Sequence, residues 1–139
     1  MLRLLATENL RRIRDIGPAL LLLTSSLAGC TQSNVSADTA LNRELGVRTA
    51  GAPQACIPNS SNGSLHGVDS STLVYRSGTT IYVNHPTAPC SGVAPFSTLI
   101  VEAQSGHFCR GDRARALELG ATIPGPVCIL GDWVAYRKP

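Results

Sequence analysis

Aromatic and charged residues are both scarce in this chain of 139 residues. Aromatic side chains make up 4% of the sequence and charged side chains 15%, whereas hydrophobic residues make up 43%. A disordered chain combines low hydrophobicity with high net charge, which is the opposite composition. The sequence therefore predicts a small globular domain, and its length suits one domain.

A concentrated basic surface is also missing. The formal net charge is +3, and about two of these charges lie in the first fifteen residues, where four arginines outnumber two acids. The densest later cluster is Arg110, Arg113 and Arg115, with Asp112 among them. Because nucleic-acid-binding domains combine a basic patch with aromatic side chains, we expect no nucleic-acid partner.

Common catalytic and metal-binding motifs do not occur in the sequence. It has no Gly-x-Ser-x-Gly, no His-Glu-x-x-His and no phosphate-binding glycine loop. A catalytic pair needs a serine or cysteine near a histidine in space, and the sequence shows no such proximity for His66, His85 or His107. Zinc sites use close Cys-x-x-Cys pairs, which are absent. We therefore expect no catalytic residue, no metal and no cofactor.

The apolar stretch at residues 16–23 is shorter than the roughly 20 residues that a membrane-spanning helix needs. It follows a basic segment and precedes small residues, which is the order found in secretory signal peptides. The small residues end in Leu-Ala-Gly-Cys at residues 27–30.

The sequence at residues 27–30 resembles the lipobox of bacterial lipoproteins. In that family a diacylglyceryl group is joined to the cysteine thiol, and the chain is cut just before that cysteine. The resemblance implies a signal peptide at residues 1–29 and a membrane anchor on Cys30, since two acyl chains hold a protein stably. Thr31 follows the cysteine. By the sorting rule of Gram-negative lipoproteins, this implies the outer membrane, facing the periplasm.

Residues 30–54 are rich in small and polar residues and contain no aromatic residue. This composition predicts a flexible tether between the lipid and the folded domain. Residues 40–45 fit one helical turn, but isolated helices of that length are marginal. We therefore expect the folded domain at residues 55–139.

Short β-branched and aromatic segments separated by turns predict a mostly-β domain with a small antiparallel sheet, sandwich- or barrel-like. Residues 73–76 and 79–84 predict a hairpin across Ser77-Gly78, with Ile81 and Val83 on one face. Residues 113–119 fit either a strand or a short helix. Further strands are predicted at residues 97–103, 107–110 and 127–136, the last one bent at Gly131.

Four cysteines remain once Cys30 is assigned to lipid, and an even number in an exported domain predicts two structural disulfides. Three pairings are possible. We expect Cys56–Cys90 and Cys109–Cys128, because the last two cysteines lie in strands that we expect to be neighbours.

The tripeptide Arg110-Gly111-Asp112 matches an integrin-binding motif, but three residues match often by chance, and the lipobox indicates a bacterial protein. We interpret it as a tight turn in which Gly111 takes an unusual backbone angle and Asp112 caps the turn.

The segments ACI, LVYRSGTTIYVN, APC, HFCRGDR and VCILGDW resemble a family of small proteobacterial exported proteins that share four cysteines. The resemblance covers residues 56–136. That family has no assigned activity, so the resemblance implies an exported, β-rich, cysteine-stapled domain and supplies no site residues.

We expect a non-catalytic lipoprotein, a binding or structural module of the cell envelope that contacts a protein or another envelope component. Its expected contact residues, if exposed, are Tyr75, Tyr82, Trp133 and Tyr136. The alternative is a periplasmic enzyme such as a hydrolase, which requires a histidine beside a nucleophile or a carboxylate in a pocket.

Overall fold

The computed structural model describes residues 37–94 and 96–139. They form one helix, α1 (Ala37–Leu45), and ten strands. The strands are β1 (Thr49–Gln54), β2 (Cys56–Pro58), β3 (Ser64–Asp69), β4 (Thr72–Ser77), β5 (Thr80–Asn84), β6 (Thr98–Glu102), β7 (His107–Cys109), β8 (Arg113–Leu117), β9 (Cys128–Ile129) and β10 (Trp133–Arg137). The prediction of a mostly-β fold with two disulfides is confirmed.

The largest sheet has five antiparallel strands in the order β1-β10-β5-β4-β3. The predicted hairpin forms its centre as β4 and β5. Ser77 pairs with Thr80, so the two-residue loop is Gly78-Thr79, one position later than expected. Gly78 has a φ of +58°, which suits glycine in such tight hairpin loops.

One face of this sheet packs against α1. Ile81 and Val83 lie on that face together with Val74, so the predicted face of β5 is confirmed. Leu41 and Leu45, four residues apart, lie on the same side of the helix and cover these strands. The sheet and the helix thus enclose a small core.

The opposite face carries the main core. Leu73, Tyr75 and Trp133 of the large sheet pack there against two smaller sheets. Ile57 and Phe108 come from the two-stranded sheet β2-β7, and the third sheet has the order β6-β8-β9. The layers resemble a sandwich, and the large sheet stays open at β1 and β3.

The predicted tether over residues 30–54 is wrong for residues 37–54. That segment contains α1 and β1, and β1 pairs with β10 from Thr49↔Arg137 to Gln54↔Trp133. A short helix that is marginal alone is stabilised here by packing against the sheet. The predicted signal peptide at residues 1–29, Cys30 and residues 31–36 lie outside the described residues.

The predicted single strand over residues 127–136 is also wrong. It is divided into β9 and β10, which belong to different sheets. Between them the backbone of Gly131 is bonded to the buried side chain of Asn84: its N–H donates to Oδ1 at 3.1 Å and its carbonyl accepts from Nδ2 at 2.8 Å. A Cβ at Gly131 would overlap the carbonyl oxygen of His85, so only glycine fits this corner. The ambiguous segment at residues 113–119 forms a strand, β8.

The expected disulfide pairing is wrong as well: the bonds are Cys56–Cys109 and Cys90–Cys128. Cys56 and Cys109 lie directly opposite each other on β2 and β7. The expected pairing assumed that Cys109 and Cys128 lie in neighbouring strands, but β7 and β9 belong to different sheets.

Candidate functional site

The aromatic residues expected to bind a partner do not form an exposed surface. Tyr75 and Trp133 are 1% and 0% exposed, so the prediction is wrong for both. Their rings meet edge-on with centroids 6.5 Å apart, and the Tyr75 hydroxyl accepts a hydrogen bond from the Ser60 N–H at 2.8 Å. They are core residues.

Tyr82 and Tyr136 are half-buried. Tyr82 packs against the main core, with its ring centroid 6.1 Å from that of Tyr75. Tyr136 packs on the other face, against the small core under α1. The two tyrosines therefore lie on opposite faces of the sheet and form no common contact surface.

The three histidines differ in their surroundings. His85 and His107 are exposed, and each donates from Nδ1 to a backbone carbonyl, that of Ser71 at 3.1 Å and that of Ser105 at 2.8 Å. His66 instead contacts a side chain: its Nε2 lies 3.0 Å from Oε2 of Glu44. Only His66 among the three is bonded to a carboxylate.

Glu44 joins α1 to the large sheet. His66 on β3 donates to Oε2, and Arg76 on β4 donates from Nε to Oε1 at 2.6 Å. The Glu44 side chain is only 12% exposed, whereas those of His66 and Arg76 are 39% and 50% exposed. The two donors reach one carboxylate because they lie on the face of the sheet that α1 covers.

The charge of Glu44 is stabilised by these two partners. Burial by itself raises the pKa of Glu44, but the hydrogen bonds and charges of Arg76 and His66 outweigh it and lower the pKa below its ordinary value. Glu44 is therefore ionised at neutral pH. A carboxylate with a lowered pKa is a poor general base, because efficient proton transfer needs a pKa near the working pH.

A cleft of about 450 Å³ opens beside this carboxylate. Its size is in the range of binding sites for small molecules. Glu44 and His66 supply its polar side, and the remaining lining residues are mostly small or apolar. These are Ala40, Gly67, Val68, Ala94, Phe96 and Ser97.

Phe96 lines the cleft and is 87% exposed. Its φ is +71°, in the left-handed region, where a bulky residue costs roughly 1–2 kcal/mol. The turn around it is closed by the Ser97 N–H, which donates to the Ala94 carbonyl at 3.0 Å, and by the Ser97 hydroxyl, which donates to the same carbonyl at 2.9 Å. A strained backbone thus holds an aromatic ring in water, and such strain is concentrated at functional sites.

Glu44 and Phe96 were not predicted as site residues. Glu44 lies in the segment that the sequence marks as one helical turn, and its partners are 22 and 32 residues away in sequence. Phe96 is one of two phenylalanines and stands in a turn-rich segment after Pro95, which is the signal that could have identified it.

Within residues 37–94 and 96–139, no group of three or more histidine, cysteine, aspartate or glutamate side chains is arranged to hold a metal ion. No helix in the same part of the chain is long and apolar enough to cross a membrane.

The chain matches no protein-family model, no curated protein and no solved structure. The resemblance to four-cysteine exported proteins and the lipobox resemblance therefore stay predictions.

Proposed function

We propose that this protein is a lipid-anchored, non-catalytic module of the cell envelope that binds a protein or another envelope component at the Glu44–His66 cleft. The observation that carries the proposal is Phe96, a strained and exposed aromatic residue at the cleft. Aromatic side chains bury a large area when they bind, and they are common among the residues that dominate interfaces.

The chemistry of the cleft favours binding over catalysis. Both oxygens of Glu44 are engaged by Arg76 and His66, so the carboxylate positions its neighbours and holds α1 in place. The cleft thereby has a fixed shape before any ligand enters, which reduces the entropy lost on binding.

The proposed attachment is a lipid on Cys30, with the domain on the periplasmic side of the outer membrane of a Gram-negative bacterium. It rests on the lipobox resemblance and on the two disulfides, because such bonds persist in oxidising compartments.

Site-specific photo-crosslinking in intact cells tests the binding proposal. A photoreactive phenylalanine analogue replaces Phe96 in one variant and Ile123 in another, since Ile123 is 81% exposed but does not line the cleft. We expect a discrete cross-linked species from position 96 and none of that mass from position 123. The same species from both positions, or none from position 96, would contradict the proposal.

Metabolic labelling with a palmitate analogue tests the attachment. We expect label on the unchanged protein and none on the Cys30→Ser variant, because that thiol is the proposed acceptor. Equal labelling of the two forms would exclude an anchor at Cys30.

One observation favours the alternative, a hydrolase: the cleft places His66 beside a carboxylate and also contains Ser97. However, the Ser97 hydroxyl donates to the Ala94 carbonyl, and no hydrogen bond joins Ser97 to His66. Labelling with a fluorophosphonate decides between the two functions. Labelling of Ser97 that His66→Ala abolishes would support a hydrolase, and the binding proposal expects no label.

A further inference from the structure

The two disulfides lie in different surroundings. Cys90 and Cys128 are 1% and 4% exposed and belong to the main core. Cys56 is exposed and Cys109 is half-buried, and their bond joins opposite positions of β2 and β7. A reagent in water can therefore reach Cys56–Cys109, whereas Cys90–Cys128 is shielded by packed side chains.

A cavity of about 610 Å³ opens beside the exposed disulfide and is lined by both of its cysteines. Gln104, Ser105, His107, Arg110 and Asp112 also line it. The cavity therefore offers a positive charge from Arg110 and a negative charge from Asp112. Gln104 adds an amide group and Ser105 a hydroxyl group.

The turn at Arg110-Gly111-Asp112 forms one wall of this cavity, and its prediction as a turn is confirmed. Gly111 has a φ of +94°, and Oδ2 of Asp112 accepts a hydrogen bond from the Cys109 N–H at 2.7 Å. Arg110 extends across to Asp132, with Nη1 3.0 Å from Oδ1. The turn therefore fixes the backbone of Cys109, while Cys56 on the other strand has no such side-chain contact to its backbone N–H among the described hydrogen bonds.

We propose that Cys56–Cys109 is a site of reversible thiol–disulfide exchange with a low-molecular-mass thiol, and that Cys90–Cys128 is structural. Exposed disulfides are the labile ones in proteins, since exchange requires the attacking thiolate to approach a sulfur atom. The proposal is independent of the cleft at Glu44 and of the lipid anchor.

The exchange proceeds in two balanced steps. The thiolate of the small thiol attacks Sγ of Cys56, the more exposed of the two residues, and forms a mixed disulfide. The bond to Cys109 breaks, and the Cys109 sulfur leaves with the electron pair and takes a proton. A second small thiol then attacks the mixed disulfide at the small thiol's sulfur and releases Cys56 as a thiol. Two small thiols are oxidised to one disulfide while the protein disulfide is reduced.

The strands around the bond remain paired by other contacts when it opens. Ile57 and Phe108, the next pair along β2 and β7, are 0% and 7% exposed and lie in the main core. Backbone hydrogen bonds flank the disulfide, from Arg110 N to Ala55 O at 2.6 Å and from Asn59 N to Gly106 O at 2.9 Å. The two cysteines are therefore held near each other, which allows the bond to re-form.

The test incubates the folded full-length protein with reduced glutathione, alkylates free thiols at intervals and maps the peptides by mass spectrometry. We expect glutathione on Cys56 and alkylated Cys109 at least about tenfold sooner than any modification of Cys90 or Cys128. The fluorescence emission maximum of the buried Trp133, which reports on the packing of the core, should stay unchanged during this first phase.

Simultaneous opening of both disulfides, or earlier opening of Cys90–Cys128, would overturn the proposal. Glutathione found mainly on Cys109 would overturn the assigned direction of attack. The double variant Cys56→Ala, Cys109→Ala is the control and should acquire no glutathione in its folded state. If that variant does not fold, the two disulfides of the unchanged protein still serve as each other's reference within one molecule.

Discussion

Asn84, the last residue of β5, is a fully buried polar residue. Its side chain contacts the corner at Gly131, where the chain passes from β9 to β10. Its side chain accepts a hydrogen bond from the Gly131 N–H and donates one to the Gly131 carbonyl. It therefore provides hydrogen-bond partners for two backbone groups between β9 and β10. A buried backbone group without a partner costs about 1–3 kcal/mol. This one side chain therefore determines whether the corner is stable.

We expect Asn84→Ala to lower the free energy of unfolding by about 2–4 kcal/mol, because it leaves both Gly131 groups unpaired. Urea unfolding followed by Trp133 fluorescence measures the change. Asn62→Ala, at an exposed turn position, serves as the control and should change stability by no more than about 0.5 kcal/mol. A loss below about 1 kcal/mol for Asn84→Ala would show that water replaces the amide.

Phe96 offers a second residue-scale prediction, since its backbone is strained. Phe96→Gly should raise stability by up to about 1 kcal/mol, because relief of the strain exceeds the entropy that glycine gains in the unfolded chain. Phe96→Ala removes the ring but keeps a Cβ and should bring no gain. Thermal unfolding of the three proteins distinguishes these effects, and destabilisation by Phe96→Gly would contradict the role assigned to strain.

At the scale of elements, α1 depends on contacts with the large sheet. Its nine residues are too few to form a stable helix alone in water. Leu41 and Leu45 supply the apolar contacts, and Glu44 supplies the polar ones through His66 and Arg76. The contribution of α1 to stability depends on pH through Glu44, whose pKa is lower in the folded protein than its ordinary value.

A carboxylate with a lowered pKa stabilises the fold fully above its ordinary pKa, and this contribution is lost as pH falls through the folded-state value. We expect Glu44→Gln to cost about 1–3 kcal/mol at pH 7. The difference between the two proteins should shrink as the pH falls below about 4, and urea unfolding at pH 7 and pH 3 measures it. An equal difference at both pH values would show that the charge of Glu44 does not hold the helix.

At the scale of the whole molecule, the folded unit includes the segment that the sequence predicts as tether. Strand β1 is almost wholly exposed and carries no hydrophobic pattern, yet it pairs with β10 at both of its ends, on either side of an irregularity between Ala50 and Pro53. Helix α1 covers Val74, Ile81 and Val83, which are at most 2% exposed. The domain therefore extends at least to Ala37.

Compared with the protein that lacks residues 1–36, the protein that lacks residues 1–54 should be less stable by at least about 3 kcal/mol. The longer deletion exposes three buried aliphatic side chains, each worth roughly 1.5–3 kcal/mol when fully buried. Urea unfolding and binding of a hydrophobic dye compare the two truncated proteins. Equal stability would mean that neither α1 nor β1 contributes to the fold.

The candidate site was beyond prediction from sequence, because its parts meet only through the sheet. Glu44, His66 and Arg76 come from α1, β3 and β4, and no local pattern links them. The burial of Tyr75 and Trp133 could not be predicted from sequence either. Aromatic residues are common in interfaces, but these two fill the main core between the large sheet and the smaller sheets.

The sequence by itself determined the features that rest on local geometry. Alternation placed Ile81 and Val83 on one face of a strand, the Arg-Gly-Asp segment specified a turn, and an even set of four cysteines specified two bonds. Only the tertiary structure decided which cysteines pair and that α1 folds. The reason is physical: a strand's two faces follow from its own backbone, whereas Cys56 meets Cys109, and α1 meets the sheet, only when distant parts of the chain have packed together.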